Sequence, residues 1–171
     1  MSSVVVRPIN ADDPARIEEL QKRIGWVKPP GLYQKYLDEH SRGERHVLIA
    51  EVDGEFAGYV TVVRQSGYPP FRQQSIPEII DFNVLVKFRR RGIGTRLMDT
   101  AEAYVAERTN VIGIGVGMHE HYGPAQRLYV KRGYVPDGLG VAYEDAIAPM
   151  GAVVKNDDSL VLHFTKALKR S

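Results

Sequence analysis

Val84-Leu85-Val86-Lys87-Phe88-Arg89-Arg90-Arg91-Gly92-Ile93-Gly94-Thr95-Arg96-Leu97 reads as a buried strand that runs through a basic, glycine-spaced turn straight into an amphipathic helix. The first backbone N–H groups of a helix have no intrahelical acceptor, and the aligned peptide dipoles place about half a positive charge there. Gly92 and Gly94 let an anion approach without a Cβ in the way, and Arg89, Arg90 and Arg91 add charge-assisted hydrogen bonds. From Lys87 to Arg96 there are five cationic residues and no acidic one. A pyrophosphate fits this turn better than a single carboxylate. The spacing matches neither the three-glycine dinucleotide fingerprint nor the Gly-Lys-Ser/Thr phosphate loop, so the expected ligand bears phosphate but is held in some other way.

Working outward, Ile76 to Val86 reads as a largely buried strand interrupted by Glu78, Asp81 and Asn83, polar residues that need a reason. Upstream, His46 to Val52 and Glu55 to Arg64 are β-rich runs joined by Asp53-Gly54, a dipeptide suited to a tight hairpin turn. Val4 to Arg7 predicts a short strand. Asp13 before Pro14 predicts a helix start with Asp13 as N-cap, and a second short helix carries Tyr33, Tyr36 and Leu37. Gln65 to Ser75, with Gly67 and Pro69-Pro70, predicts a surface loop of the kind that shapes substrate entrances. Downstream, Leu97, Ala101, Tyr104 and Val105 share one helix face. Val111 to Val116 predicts a strand, Gly123-Pro124 opens a helix that Gly133 closes, and strand signals recur at Val141 to Tyr143 and Leu160 to Thr165. The pattern is an α/β fold, a mixed sheet flanked by helices. No repeat or linker divides it, so residues 1–171 are expected to form one domain.

At 171 residues, folding buries roughly 70% of the unfolded surface, enough to need neither disulfides nor metal. The absence of Cys excludes thiol nucleophiles and Cys-ligated metal centres. With 23 Lys+Arg against 21 Asp+Glu the net charge is +2, which argues against nucleic acid as partner. No run approaches the ~18 apolar residues of a membrane span, and the first residues lack a signal-peptide layout. The cytoplasm is therefore expected. His119-Glu120-His121 has metal-ligand residue types but no third ligand nearby, and no metal is expected.

Arg89-Arg90-Arg91-Gly92-Ile93-Gly94 resembles the R/Q-x-x-G-x-G/A signature of the GCN5-related N-acetyltransferases (GNAT). Ala125-Gln126-Arg127-Leu128-Tyr129-Val130-Lys131-Arg132-Gly133-Tyr134 resembles that family's A-x-x-L-Y-x-K-x-G-F/Y segment. The order of strands and helices follows the family over nearly the whole chain, most sharply from Glu78 to Tyr134. The resemblance implies the acyl-CoA N-acyltransferase fold, acetyl-CoA as co-substrate, and transfer of its acetyl group to a primary amine by direct attack in a ternary complex. It implies that Arg89, Arg90, Arg91, Gly92, Ile93, Gly94 and Thr95 hold the pyrophosphate. It further implies that the backbone of Val84 and Val86, on a strand that splays from its neighbour, pairs with the pantetheine arm.

An alkyl amine with a pKa of about 10 must lose a proton before it attacks, and a carboxylate is the usual acceptor. Glu78, eleven residues before Arg89, resembles the base position of the histone-acetylating branch; Asp81 or an ordered water are the alternatives. Strand alternation would set Glu78 and Asp81 on opposite faces. The N–H of Val84 is the candidate donor to the oxyanion, and Tyr129 is the candidate acid toward the departing thiolate. Trp26, Tyr33, Tyr36 and Tyr68 lie in segments that wall the acceptor site in such an architecture. The chain departs from the family at Tyr122, where many relatives carry an Asn that contacts the pantetheine arm. A CoA-binding sensor without transfer is the alternative function. The amine is a small molecule or a peptide, and family habit allows a homodimer.

Overall fold

The computed structural model describes residues 3–169. The chain divides into two compact units, Met1–Arg64 with Asp81–Ala101, and Gln65–Ile80 with Glu102–Ser171. In the first unit β1 (Val4–Pro8), α1 (Asp13–Ile24), α2 (Leu32–Ser41), β2 (Arg45–Val52) and β3 (Glu55–Val63) precede the second half of β4 (Glu78–Val84) and the first part of α4 (Ile93–Ala106). The strands are ordered β1-β2-β3-β4. β1 and β2 are antiparallel, as are β2 and β3. Asp53 and Gly54 turn the hairpin with φ of 50° and 80°, two consecutive positive values that match the right-handed strand twist. Val47 to Ala50 of β2 and Phe56 to Val63 of β3 are buried without a break, so both faces of these strands are covered, and the 3.6-residue period of α1 and α4 turns Ile17, Leu97 and Met98 inward.

Asp13 is not the N-cap of α1. The helix begins at Asp13 itself, with Asp12 ahead of it, and the Asp13 carboxylate is 1% exposed because it has other partners. It accepts from both Arg7 Nη atoms at 2.8 and 2.9 Å, from Arg16 at 3.1 Å and from the N–H of Asn10 at 2.8 Å. Glu51 completes the cluster through Arg7 at 2.9 Å and through Arg16. Burial alone would raise the Asp13 pKa, but the hydrogen bonds from Arg7 and Asn10 outweigh it and hold the group below the usual value. A carboxyl depressed on folding stabilises the protein above its unfolded pKa, and that stability fades as pH falls through the folded one. Asp13→Asn is expected to cost about 2 kcal/mol at pH 7 and progressively less as the pH falls below the unfolded value of about 3.9, as read from urea unfolding across that range; a loss that does not change with pH would refute the charge argument.

The second unit holds α3 (Pro69–Gln73), the start of β4, the end of α4, β5 (Val111–Gly117), α5 (Gly123–Lys131), β6 (Val135–Tyr143), β7 (Ala146–Ile147) and β8 (Leu160–Ala167). Its strand order is β4-β5-β8-β6-β7. β4 pairs in parallel with β5 at Glu78↔Gly113 and Ile79↔Ile114, whereas β8 lies antiparallel to both β5 and β6. Among the described residues the strands of mixed direction and the helices beside them give the α/β class that the sequence predicts. The segment read as a surface loop, Gln65 to Ser75, contains α3 instead. Pro69 and Pro70 suit its first turn, and Tyr68 and Phe71, at 0% and 1% exposure, pack with Ile76, Ala142 and Val111. Among the described residues no helix is long and apolar enough to cross a membrane.

Candidate functional site

β4 stops at Val84, two residues short of the predicted end, and a 3-10 turn over Val86–Phe88 follows. Val86 is therefore off the strand, and its side chain is 76% exposed, contrary to the expectation of a strand position. Leu85 and Phe88 are the buried anchors of this turn. Arg89, Arg90, Arg91 and Gly92 stand exposed between them and Ile93, the first residue of α4. Arg90 and Gly92 both take left-handed backbone, with φ of 62° and 77°. Nothing lies within 4 Å of where a Gly92 Cβ would be, so glycine serves this backbone angle and leaves open space. Gly94 serves contact instead, since a Cβ there would sit 3.1 Å from the Phe82 ring.

The cations of this segment are not equivalent. Lys87 pairs with Glu55, Arg96 donates to the Val4 carbonyl at 2.7 Å, and Arg89 Nε donates to the Val84 carbonyl at 3.0 Å. Arg91 lies over the Phe88 ring at 5.7 Å. Arg96 N bonds to the Gly92 carbonyl, which leaves the N–H groups of Ile93, Gly94 and Thr95 ahead of the first helical acceptor. Free N–H groups at the head of a 14-residue helix, open space at Gly92 and exposed guanidiniums fit a pyrophosphate.

In the same unit Asp81 takes left-handed backbone inside β4, with φ of 60°. Its carboxylate accepts from the hydroxyls of Tyr36 and Tyr59 and from Asn83 Nδ2, each at 2.7 Å, and pairs with Lys28 at 3.3 Å. These four donors occupy the carboxylate. Lys28 also lies over the Trp26 ring at 5.5 Å. Tyr33 and Tyr36 are core residues, 1% and 6% exposed, and burial raises the pKa of both phenols.

The second unit holds both candidates for proton transfer. Glu78 is 5% exposed; its Oε2 accepts from Ser66 Oγ at 2.5 Å, and its Oε1 lies 3.6 Å from His163 Nε2. Burial pushes its pKa up to about 7, the Ser66 hydrogen bond opposes the rise, and the charge of Asp145 adds to it. A carboxyl titrating there is matched to base work at neutral pH. Tyr129 on α5 is 6% exposed, with its ring 5.9 Å from that of Tyr134. Burial, then the neighbouring Tyr122, pushes its hydroxyl up to about 12, so it keeps its proton at neutral pH. Tyr134 and Arg132, from the same motif, serve structure: with Lys166 they bind the Glu102 carboxylate at 3.0, 3.0 and 2.7 Å.

Tyr122, at the departure from the family pattern, bonds Asp158 at 3.1 Å, and Gln126 donates to the Gly117 carbonyl at 2.9 Å. His119 also binds Asp158, at 2.8 Å. Among the described residues no three His, Cys, Asp or Glu side chains converge as a metal site. The sequence reading missed Ser66 and His163. His163 left a signal: it is the one titratable residue in the run Leu160-Val161-Leu162-His163-Phe164, a polar group inside an apolar strand. Ser66 left none, because a loop serine is ordinary.

Residues 14–134 match the acetyltransferase (GNAT) family, and the chain belongs to it. An uncharacterized N-acetyltransferase of Archaeoglobus fulgidus is 36% identical over 93 residues, 54% of this chain and 61% of that protein. An N-alpha-acetyltransferase of Sulfurisphaera tokodaii is 28% identical over 108 residues, 60% of this chain and 64% of its own length. The chain thus spans less than two thirds of these curated relatives. Arabidopsis thaliana NAA60 in complex with acetyl-CoA shares the fold, with a TM-score of 0.66 and 18% identity over 96% of this chain and 98% of that one.

Proposed function

We propose that this protein is an acetyl-CoA-dependent N-acetyltransferase that acts on a primary amine by direct attack in a ternary complex, in the cytoplasm. The observation that carries transfer rather than binding alone is Glu78: a buried carboxyl, anchored by Ser66, that titrates near neutrality. The family match runs through segments of both units, which supports reading 1–171 as one acetyltransferase domain. Acetyl-CoA is bound by a fold relative, and it would supply an acetyl group activated as a thioester.

Arg89, Arg90 and Arg91 with the N–H groups of Gly92, Ile93, Gly94 and Thr95 would hold the pyrophosphate. The backbone of Val84 and Val86 would receive the pantetheine amides, with the Val84 N–H as donor to the oxygen charge that develops in transfer. Glu78 would take one proton from the substrate ammonium and release it to solvent. Tyr129 would donate its hydroxyl proton to the leaving sulfur and regain one from the amine nitrogen as the amide forms. A thiol titrates at about 8.5, below the Tyr129 phenol at about 12. The hydroxyl therefore stabilises sulfur charge first as a hydrogen-bond donor, and proton transfer completes when the amine proton arrives. Asp81, surrounded by donors, is the weaker candidate for the base.

Tyr129→Phe is expected to lower kcat ten-fold or more with little change in acetyl-CoA affinity, measured by thiol release with an amine panel and by calorimetry. Unaltered turnover at saturating substrates would remove Tyr129 from the mechanism. Heat of binding without thiol release from any amine would favour the sensor reading instead.

A further inference from the structure

We propose that His163 is the positioning residue of Glu78: its imidazole, neutral with the proton on Nε2, faces Oε1 of the buried carboxylate and shares with Ser66 the task of keeping that group ionisable. The inference rests on the reading of Glu78 as the base and adds a residue to which nothing in the family match points.

The ring is held firmly in place. His163 lies on β8 opposite Gly115 of β5 and is 2% exposed. It stacks on Tyr68 with ring centroids 3.6 Å apart and planes within 1°, and Phe71 meets it edge-on at 5.3 Å. A Cβ at Gly115 would lie 3.3 Å from the imidazole, so that glycine leaves the ring its room. Tyr68 is fixed in turn, its hydroxyl donating to Asp137 Oδ2 at 2.8 Å and its N–H donating to Ser66 Oγ at 3.0 Å. Ser66 and His163 therefore address the two oxygens of one carboxyl from a shared aromatic frame.

The tautomer follows from the other nitrogen. His163 Nδ1 is buried without a hydrogen-bond partner, alone in this among the described side chains. An orphaned buried N–H is rarer than an orphaned acceptor, which leaves Nδ1 bare and places the proton on Nε2, the atom 3.6 Å from Glu78 Oε1. That distance is long for a hydrogen bond with an uncharged carboxyl, and it is expected to close when Glu78 ionises. The remaining facing groups are the Tyr68 phenol, Asp137 of β6 and Asp145 in the turn after β6. Burial holds His163 down to about 4, against the charges of Asp137 and Asp145 that favour its protonation. The ring thus works as a neutral donor and not as a cation across the range in which Glu78 titrates.

A donor to the charged form lowers a carboxyl pKa, and its removal raises it. In His163→Leu the acidic limb of kcat/KM is expected to move at least half a pH unit toward alkali, and in His163→Gln, which restores an amide donor, to return toward the parent value. A limb that stays in place in a folded His163→Leu enzyme would overturn the proposal, because a merely structural role scales the rate without moving the limb. Should both variants fail to fold, imidazole nitrogen NMR of the unaltered protein decides. The expected result is the Nε2–H tautomer from pH 5 to 9 with a resonance shift that follows the ionisation of Glu78; an Nδ1–H tautomer, or a ring blind to that ionisation, would overturn it. Failure of the base reading itself looks different: Glu78→Gln would keep full rate while the ring still followed the carboxyl in the unaltered protein.

Discussion

Glu78→Gln is expected to lower kcat/KM for the acceptor amine by 100-fold or more and to abolish the acidic limb of its pH profile. General base catalysis contributes on the order of 10²–10⁴ in rate, and glutamine keeps the size of the side chain and its capacity to accept from Ser66 while removing the basic oxygen. The direction of the pH dependence follows from the sign of the shift. Burial raises the Glu78 pKa to about 7, so below that value the carboxyl carries a proton and cannot accept another. The rate of the unaltered enzyme should climb with pH and level off above about 7. Stability runs the opposite way. A carboxyl whose pKa rises on folding stabilises the native state while protonated, and that contribution is lost as pH passes from the unfolded value through the folded one. At pH 8 the unaltered protein carries a buried charge that the variant lacks, so Glu78→Gln should melt no lower than its parent while nearly inactive. An active variant, or an inactive one that melts well below the parent, would remove Glu78 from the chemistry.

Much of the fold was legible because its signals are local. Asp53-Gly54 between β-rich runs demanded a hairpin, and the glycine-spaced arginines demanded a turn into a helix; the structure has both. What could not be read depended on partners far along the chain. Asp13 looked like a cap because capping is a short-range rule, yet Glu51, thirty-eight residues on, shares its arginines. Pro69-Pro70 looked like a loop because the pull of Tyr68 and Phe71 into a core becomes visible only when Ile76, Val111 and Ala142 are there to receive them. The same limit applied to the site. Glu78 was a candidate by its distance to Arg89, whereas Ser66 and His163 reach it from segments twelve residues before and eighty-five after it in the chain. The left-handed backbone of Asp81 could not be read, because such a residue inside a strand has no marker in an Ile-Asp-Phe sequence. Its backbone angle is sustained by Tyr36, Tyr59, Asn83 and Lys28.

Gly58→Ala is expected to destabilise the protein by about 3 kcal/mol or more, through backbone that cannot yield. A methyl group on Gly58 of β3 would lie 2.4 Å from the Asn83 carbonyl oxygen and 3.0 Å from Val84 Cα. Had these been side-chain atoms, a rotation would relieve the contact. They belong instead to β4 just past the left-handed Asp81, and to move them is to pull Asp81 from its four donors and to shift Val84, whose carbonyl holds Arg89. The melting temperature should fall by roughly 6–12 °C for a chain of this size, and acetyl-CoA affinity should fall with it, because the strand that would present the Val84 backbone can no longer approach β3. Gly123→Ala provides the contrast: beyond its chain neighbours nothing lies within 4 Å of where its Cβ would be, and only the Pro124 ring crowds it in helical backbone with φ of −50°, so it should cost clearly less. If Gly58→Ala melted within a degree or two of Gly123→Ala, the close approach of β3 and β4 would not be the constraint that fixes the Asp81 bend.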